Sequence, residues 1–117
     1  MGIPTGAGTE VLKRVTTTGD YDTAQTALTV PSNHIYTVLS IIVNEQGSNS
    51  ELLTLYMTDA DNSNRSIYLI QNSPLGSLET FVWNDKFVLN AGDTFKVKTG
   101  SASNIDVLIS YIDQDWT

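Results

Sequence analysis

Apolar and polar positions alternate along most of the chain in short runs, separated by clusters of Gly, Asn, Asp, Ser and Pro. Runs rich in Val, Ile, Leu, Thr, Tyr and Phe are strand chemistry, and the clusters between them are turn chemistry. The pattern predicts nine strands, near residues 10–17, 24–30, 35–44, 51–58, 66–71, 78–83, 86–90, 93–99 and 104–112. The breaks include Thr18-Gly19-Asp20, Pro31-Ser32-Asn33, Gln46-Gly47-Ser48-Asn49, Ser73-Pro74-Leu75-Gly76 and Ala91-Gly92, which supply left-handed or locally hydrogen-bonded positions. No long helix is visible. Short, evenly spaced strands predict an all-β antiparallel β-sandwich, jelly-roll-like, and argue against a βαβ fold. Residues 1–9, with three glycines and Pro4, read instead as an extended N-terminal arm, which leaves 10–117 as one sandwich domain.

The two-residue period also sorts the strands by how many wet faces they have. In 93–99, Phe95 and Val97 point one way and Thr94, Lys96 and Lys98 the other, the alternation of a half-exposed strand. In 104–112 one face is Ile105, Val107, Ile109 and Tyr111, while the other mixes Asp106 and Ser110 with Leu108 and Ile112. Strands 35–44, 51–58 and 66–71 are apolar on both faces. A two-layer sandwich buries one face of each sheet, so this excess predicts a further cover, either the arm and loops or a partner subunit. Because three strands share the pattern, a subunit interface is the stronger expectation. Its expected contact residues are Ile3 and Pro4 of the arm, Tyr36, Val38 and Ile42, Leu53 and Leu55, and Trp116 as a C-terminal anchor.

Composition narrows the function by exclusion. The 117 residues carry 13 acidic against 6 basic side chains, a formal charge of −7, and the basic residues are scattered. Nucleic-acid binding, which needs a basic face, is not expected. A chain without cysteine has no thiol nucleophile, thiolate zinc site or disulfide, and a single histidine allows no two-His metal motif. No apolar run approaches the roughly 18 residues of a membrane span, and no charged, apolar leader opens the sequence, so a soluble, unprocessed protein is expected. At this length one core suffices without metal or cofactor.

The segment Val30-Pro31-Ser32-Asn33-His34-Ile35-Tyr36-Thr37-Val38, running on to Ile41 and Asn44, is similar to a stretch in small β-sandwich virion proteins of tailed bacteriophages. There a proline-led turn opens an apolar strand. Phe87-Val88-Leu89-Asn90-Ala91-Gly92-Asp93-Thr94-Phe95, followed by Ile105 to Tyr111, resembles that family's closing strands around an L-x-x-G-D turn. The likeness covers about residues 30–112. It implies a non-enzymatic particle component, foremost a decoration (cement) protein bound to the major capsid protein or another virion protein, made in the host cytoplasm and carried on the capsid surface. A homo-oligomer, a trimer above all, follows from the threefold positions of capsid lattices. A phage adhesin or carbohydrate-binding domain is the first alternative, and a tail or neck structural protein the next.

Candidate chemistry is sparse. His34, beside Ser32 at a strand entry, reads as a solvated or hydrogen-bonding residue and not as a catalytic base. Asp59-x-Asp61-x-Ser63 begins like a calcium loop, but Asn64 replaces the glycine and Ile70 stands where the bidentate Glu belongs. Asp20 and Asp22, and Asp113 and Asp115, read as solvated loop and tail residues. Trp83, Trp116, Tyr21 and Tyr56 are the aromatics available to a sugar-binding face, with Trp83 and Phe81 open to a core role as well. No catalytic residue, cofactor or metal site is expected.

Overall fold

The computed structural model describes residues 8–116. Its strands are β1 (Thr9–Gly19), β2 (Gln25–Thr29), β3 (His34–Glu45), β4 (Glu51–Asp59), β5 (Arg65–Leu75), β6 (Thr80–Trp83), β7 (Phe87–Leu89), β8 (Thr94–Thr99) and β9 (Ile105–Asp115), and a 3-10 turn lies at Ala60–Asn62. Every expected run is a strand. Thr9, assigned above to the arm, pairs with Asp115 in β1, and residues 1–7 of the expected arm lie outside the described residues. The expected break at Ser73-Pro74-Leu75 is instead the end of β5. A proline there is tolerated because β5 is an edge strand, whose outer side needs no donor.

Two antiparallel sheets form. One runs β1-β9-β3-β6, and the other runs β2-β8-β4-β5. Strand β7 also pairs with β3, at Tyr36 to Val38, while β6 pairs with it at Ile41 to Asn44. The two short strands therefore lie end to end along one edge of β3 and act as a single interrupted strand. Counted so, the chain pairs first strand with last, second with penultimate, third with sixth and fourth with fifth. This nested pairing, with β3·β9 and β4·β8 closing each sheet, is the jelly roll.

The core lies between the sheets. Tyr36, Val38, Ile41 and Val43 of β3 and Ile105, Val107, Ile109 and Tyr111 of β9 face Leu28, Leu53, Leu55, Phe95 and Val97 of the other sheet, and all are buried. The inward set of β3 changes parity midway. Val38 stands opposite Tyr111 and Ser40 opposite Ser110, so Leu39 is an extra residue, a bulge that moves the inward set from Tyr36 and Val38 to Ile41 and Val43. Both faces of 35–44 looked apolar partly because both parities feed the same core. Strand β5 is bulged against β4 as well, with Asn72 at φ +52° and its N–H donating to Thr54 Oγ1 at 3.0 Å.

The L-x-x-G-D segment is a turn with a structural job. Gly92 sits at φ +88°, and a Cβ there would lie 2.9 Å from that of Ala60. The buried Asp93 carboxylate accepts from Asn90 N at 2.9 Å and Ala60 N at 2.8 Å, while the Gly92 N–H donates to Val30 O at 2.9 Å. The Asp93 side chain thus ties the β7–β8 turn to the 3-10 turn, and the backbone of Gly92 and Asp93 ties both to Val30 just past β2.

Candidate functional site

The strand registers place two apolar rows across the outer face of the five-stranded sheet. Thr16 of β1 stands opposite Leu108, Leu108 opposite Ile42, and Ile42 opposite Val82. Four residues further along, Leu12, Ile112, Thr37 and Val88 are aligned in the same way. Leu12 is 71% exposed, Val88 54%, Val82 48% and Ile42 37%. These side chains are on the wet side of a sheet whose other side already fills the core. A shallow cleft bordered by Thr16, Thr18, Ile42, Asn44, Asp106 and Leu108 opens on the same face.

Of the expected contact residues that the structure describes, only Ile42 lies on this face. Tyr36, Val38, Leu53 and Leu55 are corrected: all four are buried between the sheets and are not surface contacts. In doubly apolar strands the sequence pattern does not say which phase turns inward, and the bulge at Leu39 breaks the single phase on which Tyr36, Val38 and Ile42 were grouped. Trp116 is half-buried, its backbone N–H donating to Asn33 O at 2.9 Å and its ring packed so close to Gly8 that a Cβ there would sit 2.9 Å from it. Ile3 and Pro4 lie outside the described residues. The residues that sequence reasoning missed are Leu12, Val82 and Val88, which are unremarkable until register aligns them.

At one end of the same sheet a charged cluster replaces the solvated tail expected for Asp113. Strand β9 keeps its inward parity from Ile105 through Tyr111 to Asp113, which is buried. Extending that parity by two residues would have found it. Asp113 Oδ2 accepts from Lys13 Nζ at 2.8 Å, and Oδ1 accepts from His34 Nδ1 at 2.7 Å. His34 Nε2 lies 3.5 Å from Asp115 Oδ1, and the Tyr36 and Tyr111 rings stack beside the cluster with centroids 4.7 Å apart. The expectation of a hydrogen-bonding histidine therefore holds, with a carboxylate as its partner. Burial pushes the Asp113 carboxyl up, but the hydrogen bonds and charges of Lys13 and His34 outweigh it and hold the group below its usual range. Burial, with the neighbouring Tyr111 and Asp113, raises the Tyr36 phenol.

Since the folded protein binds the Asp113 proton less tightly than the unfolded chain does, its contribution is complete at neutral pH and is lost as pH falls below about 4, through the folded pKa. Asp113→Asn should lower the melting temperature at pH 7 and flatten its decline in acid. Thermal unfolding of both proteins across a pH series checks this, and equal acid slopes would refute it.

The remaining candidates are engaged in holding the fold. Asp59, weighed above as the start of a calcium loop, instead accepts from Asp61 N at 3.1 Å and caps the 3-10 turn. Asp20, read above as a solvated loop residue, accepts from Asp22 N and Ser103 N, each at 3.0 Å, and these bonds hold its carboxyl below the usual range. Tyr21 is core, and Trp83 packs against the core with Nε1 donating to Asp85 O at 2.8 Å across the β6–β7 break. Tyr56 alone of the four expected sugar-facing aromatics sits on an outer face with a ring partner, Tyr68, at 5.2 Å. Among the described residues no group of three or more His, Cys, Asp and Glu side chains is placed to hold a metal, and no helix is long and apolar enough to cross a membrane.

The nested pairing defines a jelly-roll domain whose five-stranded sheet carries exposed apolar side chains on its outer face. No family model matches the sequence, and no curated protein matches it. Among solved structures, a chain of the Bacillus endospore appendages, which form a family of disulfide-linked pili, superposes with a TM-score of 0.56 at 16% identity, over 96% of this chain and 93% of that one. A chain of infectious bursal disease virus superposes with a TM-score of 0.50 at 7% identity over 92% of this chain, which spans only 32% of the viral one. A pentameric capsid protein from metagenomic phage sequences aligns at a TM-score of 0.44, with 14% identity over 87% of this chain and 61% of that one. At such identities the likeness is one of fold.

Proposed function

We propose that this chain is a non-enzymatic structural subunit of a virus particle, and that within this class it is a capsid decoration protein of a tailed bacteriophage. The observation that carries the reading is the outer face of the five-stranded sheet, where two aligned apolar rows are left without cover by the chain's own described residues. Contact through that face buries Leu12, Ile42, Val82 and Val88 and joins copies to each other or to the capsid. A closed homotrimer suits the threefold positions of a capsid lattice. The side chains with chemistry to offer, His34, Asp59, Asp93 and Asp113, are committed to structural hydrogen bonds, which supports a role in assembly over one in catalysis. Electron microscopy of the intact particle tests the proposal. Density of this size repeated on the capsid lattice is expected, and density confined to the tail would overturn the decoration role.

A second reading is a fibre subunit, favoured by the near end-to-end likeness to the pilus chain. That protein's pili are disulfide-linked, whereas this sequence has no cysteine, so any fibre it builds is joined without disulfides of this chain. Filaments formed by the purified protein in negative stain, unaffected by reductant, would favour this reading over the first.

A further inference from the structure

At the sheet end where β3 crosses to β4, two glutamates flank the loop 46–50 and are drawn inside the protein: Glu45 is 1% exposed and Glu51 3%. Both line a cleft of about 230 Å³ with Gly47, Asn49, Ser103 and Asn104, and no basic side chain borders it. Glu45 Oε1 accepts from Gly47 N at 2.8 Å. Its Oε2 is buried and has no hydrogen-bond partner among the described residues. Glu51 holds one donor, the Ser101 hydroxyl, shared between its oxygens at 3.0 and 3.3 Å. A buried carboxylate oxygen without a donor is costly, and a second carboxylate on the same cleft, with no cation nearby, adds to the cost.

The geometry points to a divalent cation site at Glu45 and Glu51, suited to calcium. The lining holds two carboxylates with Asn49, Ser103 and Asn104 beside them and neither His nor Cys, an oxygen-rich set that suits a hard cation over zinc. Calcium accepts irregular oxygen cages completed by water, where magnesium demands near-octahedral geometry. The frame is held in place from several sides. Gln46 N donates to Asn104 O at 2.8 Å, Gly100 N to Leu52 O at 3.0 Å, and Glu45 N to Glu79 O at 2.9 Å. Both glutamates stand at strand ends, so the β3–β4 and β8–β9 loops close around a preset pair.

Two carboxylates make a weak site, with half-saturation on the order of 10⁻⁴–10⁻³ M, the range of extracellular calcium modules. Equilibrium dialysis with radiolabelled calcium should find one ion per chain. Calcium at tenfold excess over half-saturation should raise the melting temperature by about 5 °C, and magnesium by less. Glu45→Gln and Glu51→Gln should each weaken binding tenfold or more and cut the thermal response to about a third or less, while unfolding cooperatively in chelator. Should Glu45→Gln fail to fold, Glu51→Gln and the exposed-loop variant Asn49→Ala carry the same test. No binding at 10 mM calcium would overturn the proposal. Binding undiminished by the variants would trace it to the general acidity of the surface and would overturn it equally.

Discussion

Ile42→Asp should weaken self-association and particle attachment at least 100-fold and leave the monomer folded. Ile42 stands at the centre of its row, between Leu108 and Val82. In the free monomer the position reaches water, so an aspartate there is solvated and costs little, within the range of ordinary surface changes. Once a partner covers the face, the same carboxylate is stripped of water with no cation on the row to meet it. A desolvated, unpaired charge costs about 3–5 kcal/mol, and every 1.4 kcal/mol is a factor of ten in the dissociation constant. Val82→Asp should act in the same direction. Sedimentation equilibrium reads the association, and circular dichroism with thermal unfolding reads the fold. Salt supplies an independent check. Copies carrying −7 each repel, so screening should leave an apolar contact unchanged or slightly tighter, and release of the protein by moderate salt would point to charge pairing with a basic partner instead. Association unaffected by Ile42→Asp would move the contact elsewhere, with the exposed Ile67 and Tyr68 of β5 the next surface to test.

What was legible in the sequence is set by what is local. Turn chemistry is local, so all nine strands were placed, and the glycine and aspartate of the Leu89 to Asp93 turn were readable as a turn before the Asp93 hydrogen bonds were known. Strands with one polar face, such as β8, also had a readable inward side, Phe95 and Val97. Phase in the doubly apolar strands was not local. Tyr36 and Ile41 both face the core although they are of opposite parity, because Leu39 bulges against β9, and that bulge is a property of the pairing with a strand about seventy residues away in sequence. The outer apolar rows are invisible for the same reason, since Leu12, Ile42 and Val82 become neighbours only through register. Asp113 was misjudged from its place near the C-terminus. Its partners Lys13 and His34 arrive from the two strands that flank β9, and only the sheet order brings them there. The Glu45 and Glu51 pair escaped because two glutamates beside a Gly-Ser-Asn loop look like any solvated turn.

Leu55→Ala should lower the free energy of unfolding by about 2–5 kcal/mol, whereas Leu52→Ala, three positions earlier on the same strand, should cost well under 1 kcal/mol. The contrast tests the phase of β4, the point on which sequence and structure disagree most. Both leucines belong to one apolar run, and composition gives no reason to separate them. In the structure Leu55 is fully buried opposite Val97 of β8, in the same core cluster as Ile41 and Ile109 of the facing sheet, while Leu52 is turned to solvent near Gly100. Removing the buried isopropyl end of the side chain loses its transfer energy and leaves a cavity that strands fixed on both sides cannot collapse to fill. Truncating the exposed one removes area that water already covers. For a domain of this size the core change corresponds to a fall in melting temperature of very roughly 10–20 °C, independent of protein concentration. Denaturant unfolding should show a lower midpoint with the slope preserved, because the surface exposed on unfolding hardly changes. If Leu55→Ala instead left the monomer's stability intact and dissolved the oligomer, Leu55 would be a contact residue after all, and the inward phase assigned to β4 would have to be reversed.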